Sequence, residues 1–141
     1  MLKNATLIKR GWRTIGGRKI YFRSKWEYAY AQALELMKQT GIILDWEHEP
    51  KTFWFDKIKR GCRSYCPDFI VVDSDGATWW AEVKGYMDPR SATKLKRFKK
   101  YYPKETLYII DGKWFKKNKI FLKDWLHEES NSKKENEKGF D

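Results

Sequence analysis

The stretch that most constrains this chain is Cys66-Pro67-Asp68-Phe69-Ile70-Val71-Val72-Asp73-Ser74-Asp75-Gly76-Ala77-Thr78-Trp79-Trp80-Ala81-Glu82-Val83-Lys84-Gly85. β-Branched and aromatic residues run on both sides of Asp73-Ser74-Asp75-Gly76, a turn-forming cluster, and this pattern predicts an antiparallel hairpin. With the loop at Ser74-Asp75-Gly76 and Gly76 in the left-handed position, Asp68 faces Glu82 across the strands. Side chains return to one face at every second residue, so Lys84 projects beside Glu82, and Ile70, Val72 and Trp80 share that side. The opposite phase carries Phe69, Val71, Trp79, Ala81 and Val83. Both faces are apolar, so both require cover from helices, which predicts a three-layer α/β/α arrangement.

Asp68 and Glu82, about 5 Å apart at Cβ on this register, repel each other among residues too apolar for a solvated surface. A divalent cation resolves that conflict. Mg²⁺ suits one or two carboxylates completed by water and phosphate oxygens, with Mn²⁺ as its natural substitute. An ammonium group at Lys84 could then hold an attacking water or a phosphate.

A second strong signal precedes the hairpin. Ser24-Lys25-Trp26-Glu27 opens a helix expected to run to Thr40, with Ser24 and Glu27 as a capping box and Gly41 ending it. Its apolar stripe is Trp26, Tyr30, Ala33, Leu34 and Met37, with Glu35 on the solvent side. A capping box requires an acid at Glu27 for its own reasons, so Glu27 is either a cap, a metal ligand, or both. Ile42 to Phe55 reads as a strand broken at Pro50, with Leu44, Trp46 and His48 in one phase and Asp45, Glu47 and Glu49 in the other. Three acids in one phase fit a solvated strand face; Glu49 is also a candidate for orienting a metal. Phe53 and Phe55 are assigned to the core and Trp54 to the other face. A strand from Arg63 to Val72 follows, bent at Pro67.

Pro67-Asp68 followed by Glu82-Val83-Lys84 resembles the motif of the PD-(D/E)XK nuclease superfamily, and the likeness spans residues 18–115. The helix opened by Ser24 to Glu27, the segment Trp46-Glu47-His48-Glu49-Pro50 and the entry strand Arg63 to Phe69 extend it. Within that superfamily the chain looks most like small phage-type endonucleases of the Holliday-junction-resolvase kind. The resemblance implies a restriction-endonuclease-like α/β fold with a central mixed sheet. It also implies a Mg²⁺-dependent DNA endonuclease in phage DNA processing or recombination, with metal at Asp68, Glu82, the Val83 carbonyl and Glu27. Asp68, Glu82, Lys84 and Glu27 are then the catalytic set, and cutting two strands symmetrically would call for a homodimer.

Beyond Gly85, Asp88-Pro89 caps a second helix to about Tyr102, carrying Lys94, Lys96, Arg97, Lys99 and Lys100 outside a Leu95, Phe98, Tyr102 stripe. Thr106 to Ile110 is expected inside the sheet, Trp114-Phe115 in a short strand or at the sheet margin, and Phe121 to Leu126 in a final helical turn. At the other end, residues 1–23 hold seven Lys and Arg and no acid. Gly16-Gly17 is read there as a turn between weak strands near Thr6 to Lys9 and Lys19 to Phe22. This arm is either a solvated extension or a basic strip along phosphates, with Arg10, Arg13, Arg18 and Lys19 as contacts. Arg63, Lys94, Lys96 and Arg97 are the corresponding contacts elsewhere.

The chain has 141 residues, which suits one domain, assigned here to residues 1–127. The polar tail 128–141 is expected to be disordered; it holds three lysines against five acids, so residues 1–127 carry a formal +13 where the whole chain carries +11. Such charge attracts polyanions, DNA first among them. No apolar run reaches the length of a membrane span and the start has no signal-peptide pattern, so a soluble intracellular protein is expected. Cys62 and Cys66 suit free thiols in that compartment better than a disulfide; a zinc site with His48 and His127 would lack the usual second compact pair. A non-catalytic nucleic-acid-binding module, in which Asp68, Glu82 and Lys84 form a salt-bridge network, is the alternative to the nuclease, and an RNA substrate is not excluded.

Overall fold

The computed structural model describes residues 10–118. Their elements are β1 (Gly11–Ile15), β2 (Arg18–Phe22), α1 (Lys25–Gln39), β3 (Ile43–His48), β4 (Phe53–Trp54), β5 (Ser64–Tyr65), β6 (Phe69–Asp73), β7 (Thr78–Val83), α2 (Pro89–Tyr101), β8 (Leu107–Ile110) and α3 (Gly112–Lys117). The fold is α/β, built on a mixed sheet in the order β3-β6-β7-β8. β3, β6 and β7 are antiparallel neighbours and β8 joins β7 in parallel.

The β6–β7 hairpin has the expected register, with Phe69 opposite Ala81 and Ile70 opposite Trp80. Gly76 adopts φ 87° and donates to the Asp73 carbonyl at 2.9 Å, while the Asp73 N–H donates to the Ala77 carbonyl at 2.7 Å. Only glycine takes that conformation without strain, so the turn residue fixes which side chains meet at the far end of the hairpin. The two phases separate as the alternation requires. Phe69, Val71 and Ala81 enter a core with Tyr30, Ala31 and Leu34 of α1, whereas Trp80 packs with Phe53, Phe55, Tyr65 and Phe98. Helix α1 thus covers one face, and α2 with the small β4–β5 ribbon covers the other. The indoles of half-buried Trp79 and buried Trp46 find acceptors, Trp79 Nε1 at Asp73 (3.2 Å) and Trp46 Nε1 at Glu35 (3.1 Å), which draws Glu35 inward rather than leaving it on the solvent side.

Several expectations are corrected. Strand Ile42 to Phe55 breaks as expected around Pro50, but a register shift between Ile43 and Asp45 resets its alternation. Ile43 and Trp46 are both buried as a result, and Leu44 is 55% exposed. The run Arg63 to Val72 is two strands in different sheets, separated at Cys66-Pro67-Asp68, because proline cannot continue the ladder. β8 lies at an edge among the described residues, not in the interior, with Tyr108 and Ile109 exposed. Trp114 and Phe115 sit on helix α3, not on a strand or at the sheet margin: its N-cap Asp111, directly after β8, accepts from the Lys113 and Trp114 N–H groups and starts a helix there. The amino-terminal strand is Gly11–Ile15, paired with β2 through a Gly16-Gly17 turn in which both residues have positive φ, and Ile15 and Phe22 anchor the hairpin in the core. The strand expected near Thr6 to Lys9, the turn at Phe121 to Leu126 and the tail 128–141 lie outside the described residues.

The bulge makes a testable distinction. Phe69→Ala, which empties a site with no exposure, should cost about 3–5 kcal/mol in chemical denaturation, whereas Leu44→Ala should stay within about 0.5 kcal/mol of wild type. Equal losses at both positions would contradict the observed register.

Candidate functional site

At the open end of the β6–β7 hairpin a cleft of about 420 Å³ is lined by Arg23, Ser24, Glu27, Tyr65, Cys66, Asp68, Glu82, Val83, Lys84, Gly85, Tyr86, Ser91 and Lys94. Three of these side chains are acidic and buried: Glu27, Asp68 and Glu82. Each arrives from a different element for a local reason. Glu82 is on β7, in the phase that the Gly76 turn assigns to the same side as Trp80. Asp68 immediately precedes β6, where Pro67 has ended the β5 segment, and its Oδ2 accepts the Val83 N–H at 2.7 Å. This bond ties the start of β6 to the end of β7 across the hairpin mouth.

Glu27 is brought by the first turn of α1. Ser24 caps that helix through a bond from the Glu27 N–H at 3.1 Å, as expected for the first half of a capping box. The reciprocal bond is displaced by one residue: Glu27 Oε2 accepts from the Arg23 N–H at 3.1 Å. The carboxylate therefore closes the helix entry and faces the cleft together, so the cap and site readings of this residue coexist.

The electrostatics follow from burial and crowding. Desolvation pushes the Asp68 carboxyl up, the charges of Glu82 and Glu27 push it further, and together they outweigh the Val83 N–H to bring it to about 9. Burial also raises Glu82, against the Tyr65 hydrogen bond and the Lys84 charge. Burial would raise Glu27 as well, but His48, the Arg23 N–H and Asp68 outweigh it and the net direction is down. Asp68 and Glu82 are thus both pushed toward their protonated forms, while Glu27 is pushed toward its ionised form. Tyr65 donates to Glu82 Oε1 at 2.7 Å, and burial followed by that neighbouring charge holds its phenol far above its ordinary range, so it remains a donor. Lys84 Nζ lies 3.7 Å from Glu82 Oε2 at the rim.

All four residues of the proposed catalytic set, Asp68, Glu82, Lys84 and Glu27, line this cleft, and the Val83 backbone lies with them. The basic contacts are more scattered. Lys94 lines the cleft, whereas Lys96 and Arg97 border a separate cleft with Ile58, Thr93, Lys100 and Tyr101. Arg97 is occupied by the Cys62 carbonyl at 2.7 Å. Arg18 stacks 4.2 Å from the Trp46 ring centroid and donates to the Trp46 carbonyl at 3.0 Å. Each of these two cations is thus engaged with a backbone carbonyl within the fold. Arg13 donates to the Trp12 carbonyl and lies over Tyr28, while Lys19 lies over Trp12 on the outer face of the β1–β2 hairpin. Arg10 and Arg63 are exposed.

Sequence reasoning missed Tyr65, Arg23 and the role of His48. Tyr65 precedes Asp68 by three residues and belongs to another sheet, so no hairpin register could place it. Cys62 and Cys66 are free thiols, and His127 lies outside the described residues. No helix among the described residues is long and apolar enough to cross a membrane.

The fold and cleft define an α/β protein with a buried carboxylate cluster at the mouth of a sheet hairpin. The family model described as "Protein of unknown function (DUF1064)" matches residues 9–120, and the chain belongs to that family. No curated protein matches it.

The raised Asp68 carboxyl has a sign that can be measured. The folded chain holds a proton that the unfolded chain has released above about pH 4, so this contribution to stability is fully present below 3.8 and lost as pH rises through about 9. Glu27 acts oppositely, but only in the acid range below 4.5. In chelator, thermal stability should fall between about pH 5 and about pH 9, and Asp68→Asn should flatten that fall and stabilise the protein by about 0.5–2 kcal/mol near pH 8. A wild type whose stability rises with pH in that window would contradict the assignment.

Proposed function

We propose that this protein is a divalent-metal-dependent DNA endonuclease that hydrolyses phosphodiester bonds, with Glu27, Asp68 and Glu82 as metal-binding carboxylates and Lys84 as the cation nearest the reacting phosphate. One observation carries the reading: three buried carboxylates, Glu27, Asp68 and Glu82, line one cleft. Such a donor set fits a hard divalent cation, Mg²⁺ or Mn²⁺, better than it fits a structural salt-bridge network. Lys84 touches Glu82 alone, at 3.7 Å, and no other cation forms an ion pair with Asp68 or Glu82 among the described residues.

When bound, the ion would neutralise the cluster, acidify a coordinated water and offset charge on the phosphate. The chain's own residues do the rest. Asp68 and Glu82 would hold the ion from adjacent strands at a spacing fixed by the hairpin. The Asp68 bond to the Val83 N–H keeps one carboxylate oxygen engaged and aims the other into the cleft. Tyr65 does the same for Glu82 by occupying Oε1. Lys84 is placed to steady the attacking water or the scissile phosphate.

The surroundings favour a polyanion at the rim and a cation at the floor. Arg23, Lys84 and Lys94 border the opening. Ser24 and Ser91, from the first turns of α1 and α2 or their caps, put two positive helix ends beside it. On the β1–β2 hairpin, Trp12 is 60% exposed, with Tyr21 packed edge-on at 5.5 Å and Lys19 above it, a surface suited to stacking on nucleotides. Branched DNA is the substrate class that the resemblance favours, and a homodimer would serve symmetric cutting.

The test is cleavage of supercoiled plasmid and of a four-way DNA junction with Mg²⁺ or Mn²⁺. Cutting should require the metal, and Glu82→Gln and Lys84→Met should each slow it by about 100-fold or more while leaving salt-sensitive DNA binding in place. Metal-independent binding with no cleavage of any DNA or RNA would identify a binding module instead.

A further inference from the structure

Beside the main cleft, the β3 strand and its exit place a different donor set against Glu27. His48 and Glu49 stand with Glu27 so that one ligand atom from each lies within 4.8 Å of the others. His48 Nε2 is 3.5 Å from Glu27 Oε2 and 3.9 Å from Glu49 Oε1. Those separations suit three ligands on one side of a single ion with bonds of about 2.0–2.2 Å.

The independent observation is the state of His48. Its side chain is only 7% exposed, its Nε2 lies between the two carboxylates, and that atom makes no hydrogen bond. A buried ring nitrogen without a hydrogen bond is expensive unless something else occupies its lone pair or its proton. The ring cannot simply turn away. Phe22 and Phe69 pack against it with centroids at 5.1 and 5.2 Å, bracing the imidazole with Nε2 between Glu27 and Glu49.

The backbone completes the arrangement. Glu49 has φ 46°, the one non-glycine residue with positive φ among those described, and its N–H donates to the Asp68 carbonyl at 2.8 Å. That bond bends the chain after β3 and turns the Glu49 carboxylate back toward His48. Arg23 is its present counter-charge, at 3.4 Å, but the Arg23 side chain is 72% exposed and free to yield to an ion.

We infer that Glu27, His48 and Glu49 form a second metal site, selective for a first-row transition ion such as Mn²⁺ over Mg²⁺, which shares Glu27 with the Asp68/Glu82 pocket. The selectivity follows from the ligands. Imidazole nitrogen suits transition ions, whereas Mg²⁺ prefers an all-oxygen shell. The inference stands on the geometry of these three residues and does not require that the protein cut DNA.

The test is electron spin-echo spectroscopy of Mn²⁺ added to the full chain, which detects ¹⁴N coupling from a coordinated imidazole. Wild type should show that coupling. It should vanish in His48→Gln and persist in His127→Gln, since these are the chain's two histidines. It should also persist in Asp68→Asn, which disables the neighbouring pocket. Because His48→Gln disturbs a packed ring, Glu49→Gln provides a milder check: Mn²⁺ affinity at the nitrogen-coupled site should fall by roughly tenfold or more, with Mg²⁺ affinity unchanged. No nitrogen coupling in wild type, or coupling that survives His48→Gln, would overturn the site. A nitrogen-coupled ion in a protein that cleaves no nucleic acid would uphold it and defeat the nuclease reading separately.

Discussion

The structure is governed by the concentration of buried negative charge at one end of the central hairpin. Glu27, Asp68 and Glu82 come from three elements, and none of them is carried there by hydrophobic packing. Placing ionised carboxylates together away from water is strongly unfavourable, and the fold offsets this by local hydrogen bonds and by retaining a proton on Asp68. A proton is a weak and exchangeable solution to such a problem. The proposed divalent cation would be a stronger one.

Much of the remaining architecture serves to hold these groups in place. Aromatic packing on both sheet faces makes β6 and β7 rigid, so their ends meet at a fixed separation. Tyr65 belongs both to the second core cluster, against Phe98, and to the cleft, through Glu82. His48 joins the first cluster, against Phe22 and Phe69, to Glu27. Glu82 and Glu27 are thus each braced by a ring anchored in a core, and Asp68 by the Val83 N–H, which keeps the site preorganised at the expense of stability.

What the sequence made legible was local and periodic. Gly76 at the third loop position dictated the register and hence the meeting of Asp68, Glu82 and Lys84. Ser24 and Asp88 marked both long helices to within a residue. What stayed hidden depended on pairing between distant segments. Nothing in Ile43-Leu44-Asp45 announces the bulge that puts Leu44 in solvent, because a bulge is settled by how β3 meets β6. The edge position of Leu107–Ile110 and the helix at Trp114 escaped for the same reason: an apolar run and an Asp-Gly pair are each compatible with more than one neighbour. Residue types alone pair His48 with the cysteines as a zinc set, whereas its neighbours in the fold are Glu27 and Glu49. Charge was legible in sum but not in placement, since Arg18 and Arg97 are bound to backbone carbonyls.

On the proposed function, a proton at Asp68 and a cation in the cleft exclude each other. Calorimetric titration of Mg²⁺ near neutral pH, repeated in buffers of different ionisation enthalpy, measures that exchange directly. If the account is right, binding releases close to one proton per ion, and the release disappears in Asp68→Asn. Binding with no linked proton, or the same release from the variant, would contradict it.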